Sequence, residues 1–447
     1  MHSSILNFFS ELRASYWYIP LLLAIFSLLL ALLTLQLDHL FVWHWLGYIG
    51  WFHASNPEGA RSILSTIASS MITVAGVSFS MTIVAVAFAG SQVGPRLTAN
   101  FMRDRVNQIT LGTFIATFLY CLFILLALFN ANKGDIAELN RSVFIPQISL
   151  LVAICLSMSS IVLLIYFFQH IPESIDISNI IAQVGEELNC QLKCVFPSEL
   201  GTEQSVPGEH PNKKPSFAHL YPQKTSILAT QQGYIRILDG NSLLDIATRY
   251  DLIIQLEAQC GYFITENTLL LTIYSKELIE DSVQKQCRGI FALGIKRNQE
   301  QDTLFLVEEL VEIIARALSP GINDPFTAIN CMDWLHSSIQ KISSINLPSS
   351  YRYDADNKIR VIAQSIAFSE FCELIFPRIQ PYVCKDRNAS VHMMEMMITL
   401  HRSSTNQEHK IIIASHANSL KNATKECLLL EDTEKVLNLY EKHFQLK

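Results

Sequence analysis

The chain has 447 residues and a formal net charge of −7, and 50% of its residues are hydrophobic while only 16% are charged. Because soluble globular chains carry about 25% charged residues, this composition excludes a wholly soluble protein and predicts that part of the chain lies in lipid. A chain of 447 residues has room for about three structural units.

Four segments before residue 170 contain no Asp, Glu, Lys, Arg or His: they are residues 16–37, 62–95, 106–129 and 142–169. A spanning helix needs about 20 apolar residues, and each segment reaches that length. We therefore predict a four-helix transmembrane domain over residues 1–170. The first segment is interpreted as a retained anchor, because its apolar run is too long for a signal peptide and no small-residue cleavage pattern follows it.

The loops predict how the chain is oriented in the membrane. The loop between the second and third spans carries Arg96, Arg103 and Arg105, whereas residues 38–60 contain no Lys or Arg. Positive-inside bias places that second loop in the cytoplasm, and four spans then place both termini and residues 170–447 there. Eight of the ten cysteines follow residue 170 without disulfide spacing, as expected for free thiols in a reducing compartment.

The second span carries a regular stripe of small and hydroxyl residues. Its members are Ser62, Thr66, Ser69, Thr73, Gly76 and Ser80. At about 100° per residue they fall within a stripe about 80° wide. Such residues let spanning helices pack closely or line a wetted pore, and both interpretations remain open. The third span carries the shorter set Thr110, Thr113 and Thr117.

The four predicted spans contain no charged residue, whereas ion-coupled transporters and voltage sensors keep charged residues at membrane depth. The sequence therefore favours a passive, weakly polar pore or a bundle that only anchors the rest of the chain. The second span ends at Gly94 and Pro95, which interrupt helices. Arg96, Arg103 and Arg105 follow, and they either contact lipid headgroups or form a basic pore mouth that attracts anions.

The part after the spans divides into three. Residues 171–222 are predicted to form a connecting helix and a flexible linker, because the second half of this range is polar and rich in Pro, Gly and Ser. Residues 223–275 hold short runs rich in β-branched and aromatic residues and resemble a small β barrel-sandwich of the biotinyl or lipoyl kind. They contain no Met-Lys pair for a prosthetic group, so we expect no cofactor. Residues 276–447 are predicted to be an all-helical domain.

The predicted fold class is therefore a membrane α-helical domain with four transmembrane helices, followed by a cytoplasmic α+β part. The sequence contains no P-loop, G-x-G-x-x-G, H-E-x-x-H or G-x-S-x-G motif. Cys190 and Cys194 lack a second ligand pair at zinc spacing, and His392, His401 and His409 are expected at the surface. We predict no enzyme activity and no metal site.

Nucleic acid is also excluded as a partner. Residues 170–447 hold 26 Lys and Arg against 34 Asp and Glu, which leaves no basic footprint for phosphates.

The stretch ALSPGINDPFTA joins two predicted helices. Asp302 is placed to cap the first helix, which must end before the Ser-Pro-Gly run. Asn323 or Asp324 then caps the second helix, with Pro325 at its first position. Gly321, Asn323, Asp324 and Pro325 are also a candidate site for an anion or peptide at a helix N-terminus, although turn and capping chemistry explains the same residues.

Four long motifs point to one family. They are SFSMTIVAVAFAGSQVGPRLTANFMRD, LGTFIATFLY, KRNQEQDTLFLVEEL and ALSPGINDPFTA. Together they resemble a bacterial family of predicted membrane proteins, domain of unknown function 2254 (DUF2254). The resemblance implies a multi-pass protein of the bacterial inner (plasma) membrane with four N-terminal spans. It brings no catalytic residues with it.

These patterns favour a homo-oligomeric passive channel or transport protein, with the second span lining the pore and a cytoplasmic gating domain. Its expected partners are the lipid bilayer, further copies of the chain, and an ion or small anion. The alternative is a membrane-anchored sensor or scaffold whose cytoplasmic domain binds a ligand or partner.

Overall fold

The computed structural model describes residues 16–40, 57–94, 104–134, 145–192, 219–299, 301–345, 350–363 and 366–445. These residues form two compact units. The membrane unit ends at Asp176, and the C-terminal unit begins at Ile177.

In its described residues, the membrane unit consists of the helices α1 (Tyr18–Leu40), α2 (Pro57–Val93), α3 (Arg105–Gly134) and α4 (Gln147–Ile175). All four are long and apolar enough to cross a bilayer, which confirms the four predicted apolar segments. Helix α2 begins before the predicted segment, because its first turns take in the charged Glu58 and Arg61. Backbone hydrogen bonds continue a helix through polar residues, so bounds read from charge alone are too short.

Helix α3 packs against the other three helices of the membrane unit. Its Tyr120 is fully buried; the phenol lies 2.9 Å from the Thr34 hydroxyl of α1 and donates to the Ser149 carbonyl of α4 at 3.1 Å. The hydroxyls of Thr117 on α3 and Ser160 on α4 meet at 3.2 Å. Interhelical hydrogen bonds in lipid contribute about 1 kcal/mol each, so these residues select which helix faces meet.

The C-terminal unit contains eight strands in its described residues: β1 (Gln223–Leu228), β2 (Gly233–Leu238), β3 (Ile253–Leu256), β4 (Phe263–Ile264), β5 (Leu269–Ser275), β6 (Phe291–Gly294), β7 (Tyr351–Tyr353) and β8 (Ile359–Ile362). They form a five-stranded sheet of order β1-β5-β3-β8-β7 and a three-stranded sheet of order β4-β2-β6. Neighbouring strands are antiparallel except β3 and β8, which are parallel. One apolar core, with Ile227, Ile235, Leu271 and Val361 among its members, lies beneath both sheets.

The helices of the C-terminal unit are α5 (Ile177–Gln191), α6 (Gly240–Arg249), α7 (Asp281–Arg288), α8 (Thr303–Ala317), α9 (Pro325–Ser344), α10 (Phe368–Val383), α11 (Arg387–Ser403), α12 (Gln407–Cys427) and α13 (Leu430–Tyr440). A π-helical turn, Glu441–Gln445, follows α13. The unit is therefore a mixed α/β part followed by a helical region, as the sequence predicts at that level of detail.

The β7–β8 hairpin departs from the all-helical domain that the sequence predicts after residue 276. It turns at Asn357, which has a φ of 65°. Its second strand, β8, pairs with β3 in the five-stranded sheet. Two strands of three and four residues are too short to give a clear alternating pattern, because a half-buried strand is recognised from four to eight residues. Strand β6 departs from that prediction in the same way.

Candidate functional site

The stripe on α2 faces away from the other helices of the membrane unit. Ser62, Thr66, Ser69, Thr73, Gly76 and Ser80 are all exposed. The face of α2 that packs inside the unit carries the buried residues Ala60, Leu64, Ala68, Met71 and Ala75. At about 100° per residue, the two faces lie on opposite sides of the helix. The stripe therefore does not pack against α1, α3 or α4.

Three hydroxyl groups of the stripe, those of Thr66, Ser69 and Thr73, donate to carbonyls within α2 itself. Thr66 donates to the Ser62 carbonyl at 2.8 Å, and Thr73 donates to the Ser69 carbonyl at 2.8 Å. A Cβ atom added at Gly76 would meet nothing within 4 Å. Because the protons are already donated to backbone carbonyls, the hydroxyl lone pairs remain available to the outside. The stripe thus presents a smooth, uncharged and weakly polar surface.

The threonines of the third span do not form a matching outward surface. Thr110 and Thr117 are fully buried, and Thr117 contacts Ser160 as described above. Thr113 is half-buried and donates to the Ile109 carbonyl at 2.8 Å. Of the two predicted polar sets, only the one on α2 is an exposed face of the membrane unit.

The predicted basic mouth falls partly outside the described residues, since Arg96 and Arg103 lie there. Arg105 is exposed at the first position of α3. Beside it, Asp104 accepts a backbone N–H bond from the first turn of α3 at 3.0 Å and lies 2.5 Å from His170 Nε2 on α4. The pattern of uncharged segments does not reveal this pair, because the fourth segment ends one residue before the histidine. An Asp directly before a helix is the signal that points to it.

In the C-terminal unit, the corner between α8 and α9 combines a helix stop with a helix start. Asn323 has a left-handed φ of 52°, which Asn tolerates better than most residues, and its N–H donates to the Ser319 carbonyl at 2.9 Å. Asp324 accepts hydrogen bonds from the N–H and the hydroxyl of Thr327 at 3.2 and 2.6 Å. Asp324 is therefore the capping residue, and Asn323 supplies the turn.

Gly321 and Pro325 complete this candidate turn site. Pro325 is the first residue of α9, where its missing N–H costs nothing. Gly321 is exposed, and a Cβ added there would meet nothing within 4 Å. The structure brings the four predicted residues together at an exposed corner, and capping and turn geometry accounts for three of them.

An ionic cluster, which sequence analysis does not predict, joins the loop after β6 to α8 and α10. Arg297 donates to the Asp302 carboxylate at 2.7 Å and to Glu308 at 2.6 Å, and Arg378 donates to Glu308 at 3.0 Å. Asp302 also caps α8 by accepting the Phe305 N–H at 3.1 Å, as predicted. Burial raises the pKa of Asp302, and the adjacent Arg297 guanidinium opposes that rise.

A cavity of about 260 Å³ opens between the two sheets. Its lining includes the buried side chains of Ile264, Leu270 and Phe291, together with the half-buried Arg288. Arg288 Nε donates to the Leu228 carbonyl at 3.1 Å, which orients the guanidinium group. The lining also includes Thr230 and Gln231, so the accessible surface of the cavity is mostly polar. A small polar space with one oriented cation suits a short-chain carboxylate.

Within the described residues, no group of three or more His, Cys, Asp or Glu side chains is placed to hold a metal ion. The three histidines expected at the surface are half-buried. His392 lies 2.8 Å from Asp333, His409 stacks on Phe368, and His401 contacts the ring of His443.

Comparison with known proteins gives one family. The family described as predicted membrane protein (DUF2254) matches residues 13–399. Two uncharacterized proteins, one from Mycobacterium bovis and one from Mycobacterium tuberculosis, are 25% identical to the chain over 361 residues. That match covers 80% of this chain and 66% of each relative, so the chain spans slightly less than two thirds of their length. No solved structure matches the chain.

Proposed function

The chain belongs to the predicted membrane protein family DUF2254, and we propose that it functions as a homo-oligomeric passive channel whose α2 helices line the conducting path. The C-terminal unit acts as the gating part in this proposal. No catalytic step is assigned to the chain.

One observation carries the proposal: the uncharged stripe of α2 is exposed on the side opposite to the packed face. Lipid tails are as apolar as leucine, whereas small and hydroxyl residues let a second helix approach closely. In a closed ring of identical chains, every copy turns the same surface to the axis. The hydroxyl oxygens of the stripe would then line an uncharged path, which conducts passively because it lacks the intramembrane charges of coupled transporters.

Planar bilayers containing the purified chain test this proposal. We expect conductance from the wild type, and a several-fold lower unitary conductance for Thr73→Leu because the bulky side chain narrows the path. The matched control is Ser159→Leu on α4, since Ser159 is also exposed and also donates to its own helix, at 2.9 Å to the Cys155 carbonyl. The proposal is overturned if folded oligomers do not conduct, or if both variants have the same effect.

Cross-linking in native membranes tests the assembly separately from conduction. A cysteine at Ser69 should form a disulfide between two copies on mild oxidation, because the stripes face a common axis. A cysteine at Ser159 should not. If both cysteine variants remain uncross-linked monomers after oxidation, the proposed homo-oligomer is contradicted.

The bacterial inner membrane, with both termini and residues 170–447 in the cytoplasm, is part of the same proposal. It rests on the three arginines of the second loop. A green fluorescent protein fused to the C-terminus should fluoresce, whereas a fused alkaline phosphatase should be inactive. The opposite pair of results would reverse the topology.

A membrane-anchored sensor is the second candidate, and the cavity beside Arg288 is the observation that favours it. A short-chain carboxylate such as acetate or butyrate should raise the melting temperature of the wild type and have less effect on Arg288→Gln. Arg249→Gln is the control, because Arg249 is an exposed arginine at the end of α6. An equal response from all three proteins would eliminate the cavity as a ligand site.

A further inference from the structure

Two cysteines of the helical region lie in direct contact although 43 positions separate them in the chain. The Sγ atoms of Cys384 and Cys427 are 3.3 Å apart. A disulfide bond is about 2.05 Å long, so both groups are thiols in this structure. Closing the gap needs a displacement of little more than about 1 Å.

The ends of two packed helices hold the thiols in place. Cys384 directly follows α10, and Cys427 is the last residue of α12. The two helices pack against each other, with the rings of Phe376 and His416 centred 5.1 Å apart. The Cys384 N–H donates to the Gln380 carbonyl at 3.0 Å. The contact therefore belongs to the packed helical region and not to a loose surface loop.

The two thiols differ in their access to solvent. Cys427 is exposed, whereas Cys384 is only 4% exposed. Burial and the neighbouring Cys427 thiol raise the pKa of Cys384 to about 12, which suppresses its thiolate at neutral pH. A dissolved oxidant thus reaches Cys427 first, and Cys384 is held where it can react second.

We propose that Cys427 and Cys384 form a reversible redox pair that is oxidised by hydroperoxides. The Cys427 sulfur attacks the peroxide oxygen, the O–O bond breaks, and the products are a sulfenic acid at Cys427 and an alcohol or water. The Cys384 sulfur then attacks the Cys427 sulfur, an S–S bond forms, and the sulfenic oxygen leaves as water with the thiol proton. The two thiols lose two electrons in total, and the peroxide gains them. A dithiol reductant reverses the reaction.

The disulfide would join the end of α10 to the end of α12 and close a loop that contains the whole of α11 and α12. Closing a loop of this length restricts the unfolded chain. We therefore expect oxidation to raise the melting temperature of the C-terminal unit by about 5–10 °C.

Mass spectrometry of the full chain in detergent tests the pair directly. After treatment with hydrogen peroxide, alkylation of free thiols and trypsin digestion, the peptides 379–385 and 426–435 should be linked by a disulfide. Dithiothreitol should release them. Cys384→Ser should instead leave a Cys427 sulfenic acid that dimedone labels, and Cys427→Ser should protect Cys384 from oxidation.

Cys190 is the internal standard, because it is an exposed cysteine of the same unit. The proposal is overturned if the wild type keeps both thiols, or carries Cys427 as sulfinic acid without the linked peptides, under peroxide that oxidises Cys190. It is also overturned if Cys384→Ser and the wild type give the same Cys427 product.

Discussion

Asp38 and Ser149 are joined by two hydrogen bonds that connect the first and fourth membrane helices. The Asp38 carboxylate accepts the Ser149 N–H at 3.0 Å and the Ser149 hydroxyl at 2.6 Å, and it also accepts the Ile148 N–H at 2.8 Å. The residue before α4 is Pro146, which provides no side-chain cap. Asp38 therefore caps α4 from a different helix.

Replacing Asp38 with Ala should lower the free energy of unfolding by about 1–2 kcal/mol, because it removes both the N-cap acceptor and the negative charge at a helix N-terminus. Asp38→Asn should cost less, since an amide oxygen still accepts hydrogen bonds. Thermal unfolding in detergent measures the change. Ser159→Ala is the control on the same helix, and a loss of stability there equal to that of Asp38→Ala would refute a specific cap.

The ionic cluster predicts that replacing Arg297 costs much more stability than replacing Arg378. Arg297→Gln should destabilise the protein by about 3–5 kcal/mol, because Asp302, 4% exposed, and Glu308, 16% exposed, lose the half-buried arginine that they share. Arg378→Gln should cost less than about 1 kcal/mol, since the Arg378 side chain is 49% exposed and its ion pair is screened by water. Chemical unfolding of both variants compares them, and equal losses would contradict the role of burial.

The sequence predicts those structural features that depend on residues close to one another in the chain. Runs of uncharged residues identify the four membrane helices, and Asp302 is found as a cap because its acceptor role reaches only three residues ahead. Asp38 and Ser149 are 111 positions apart, and strand β8 pairs with β3 from a distant part of the chain. Periodicity contains no information about such partners. The spacing of the stripe on α2 can be recognised in the sequence. Whether the stripe is exposed or buried depends on how α3 packs against α2.

Asn323 gives a prediction about the corner between α8 and α9. Asn323→Gly should be within a few tenths of a kcal/mol of the wild type, because glycine adopts a positive φ freely. Asn323→Val should cost about 1–2 kcal/mol, since a β-branched residue is strained at a φ of 52°. Gly321→Ala is the neighbouring control and should be close to neutral, as nothing lies within 4 Å of the added Cβ. The melting temperatures of the three variants compare these losses of stability. If Asn323→Val is as stable as the wild type, the turn relaxes to a different φ and the prediction is wrong.

Asp251 makes the stability of the C-terminal unit depend on pH. Its carboxylate accepts hydrogen bonds from Lys276 at 2.6 Å and from Arg360 at 2.7 Å. These bonds, with Lys276 contributing most, hold the pKa of Asp251 well below its ordinary value. A carboxyl whose pKa is lower in the folded state stabilises the fold at pH values above its unfolded pKa, near 3.9. That contribution is lost as the pH falls through the folded pKa.

The substitution Asp251→Asn isolates this charge, because Asn tolerates the left-handed φ of 50° that Asp251 adopts. At pH 7 the variant should be less stable by about 1 kcal/mol, a modest value since the Asp251 side chain is 41% exposed and its ion pairs are partly screened. The difference should shrink as the pH falls below about 4 and as salt rises. Unfolding midpoints at pH 3, 5 and 7 measure it, with Asp245→Asn as the exposed control on α6. If the stability difference between the wild type and Asp251→Asn stays constant over this pH range, Asp251 acts through backbone geometry and not through its charge.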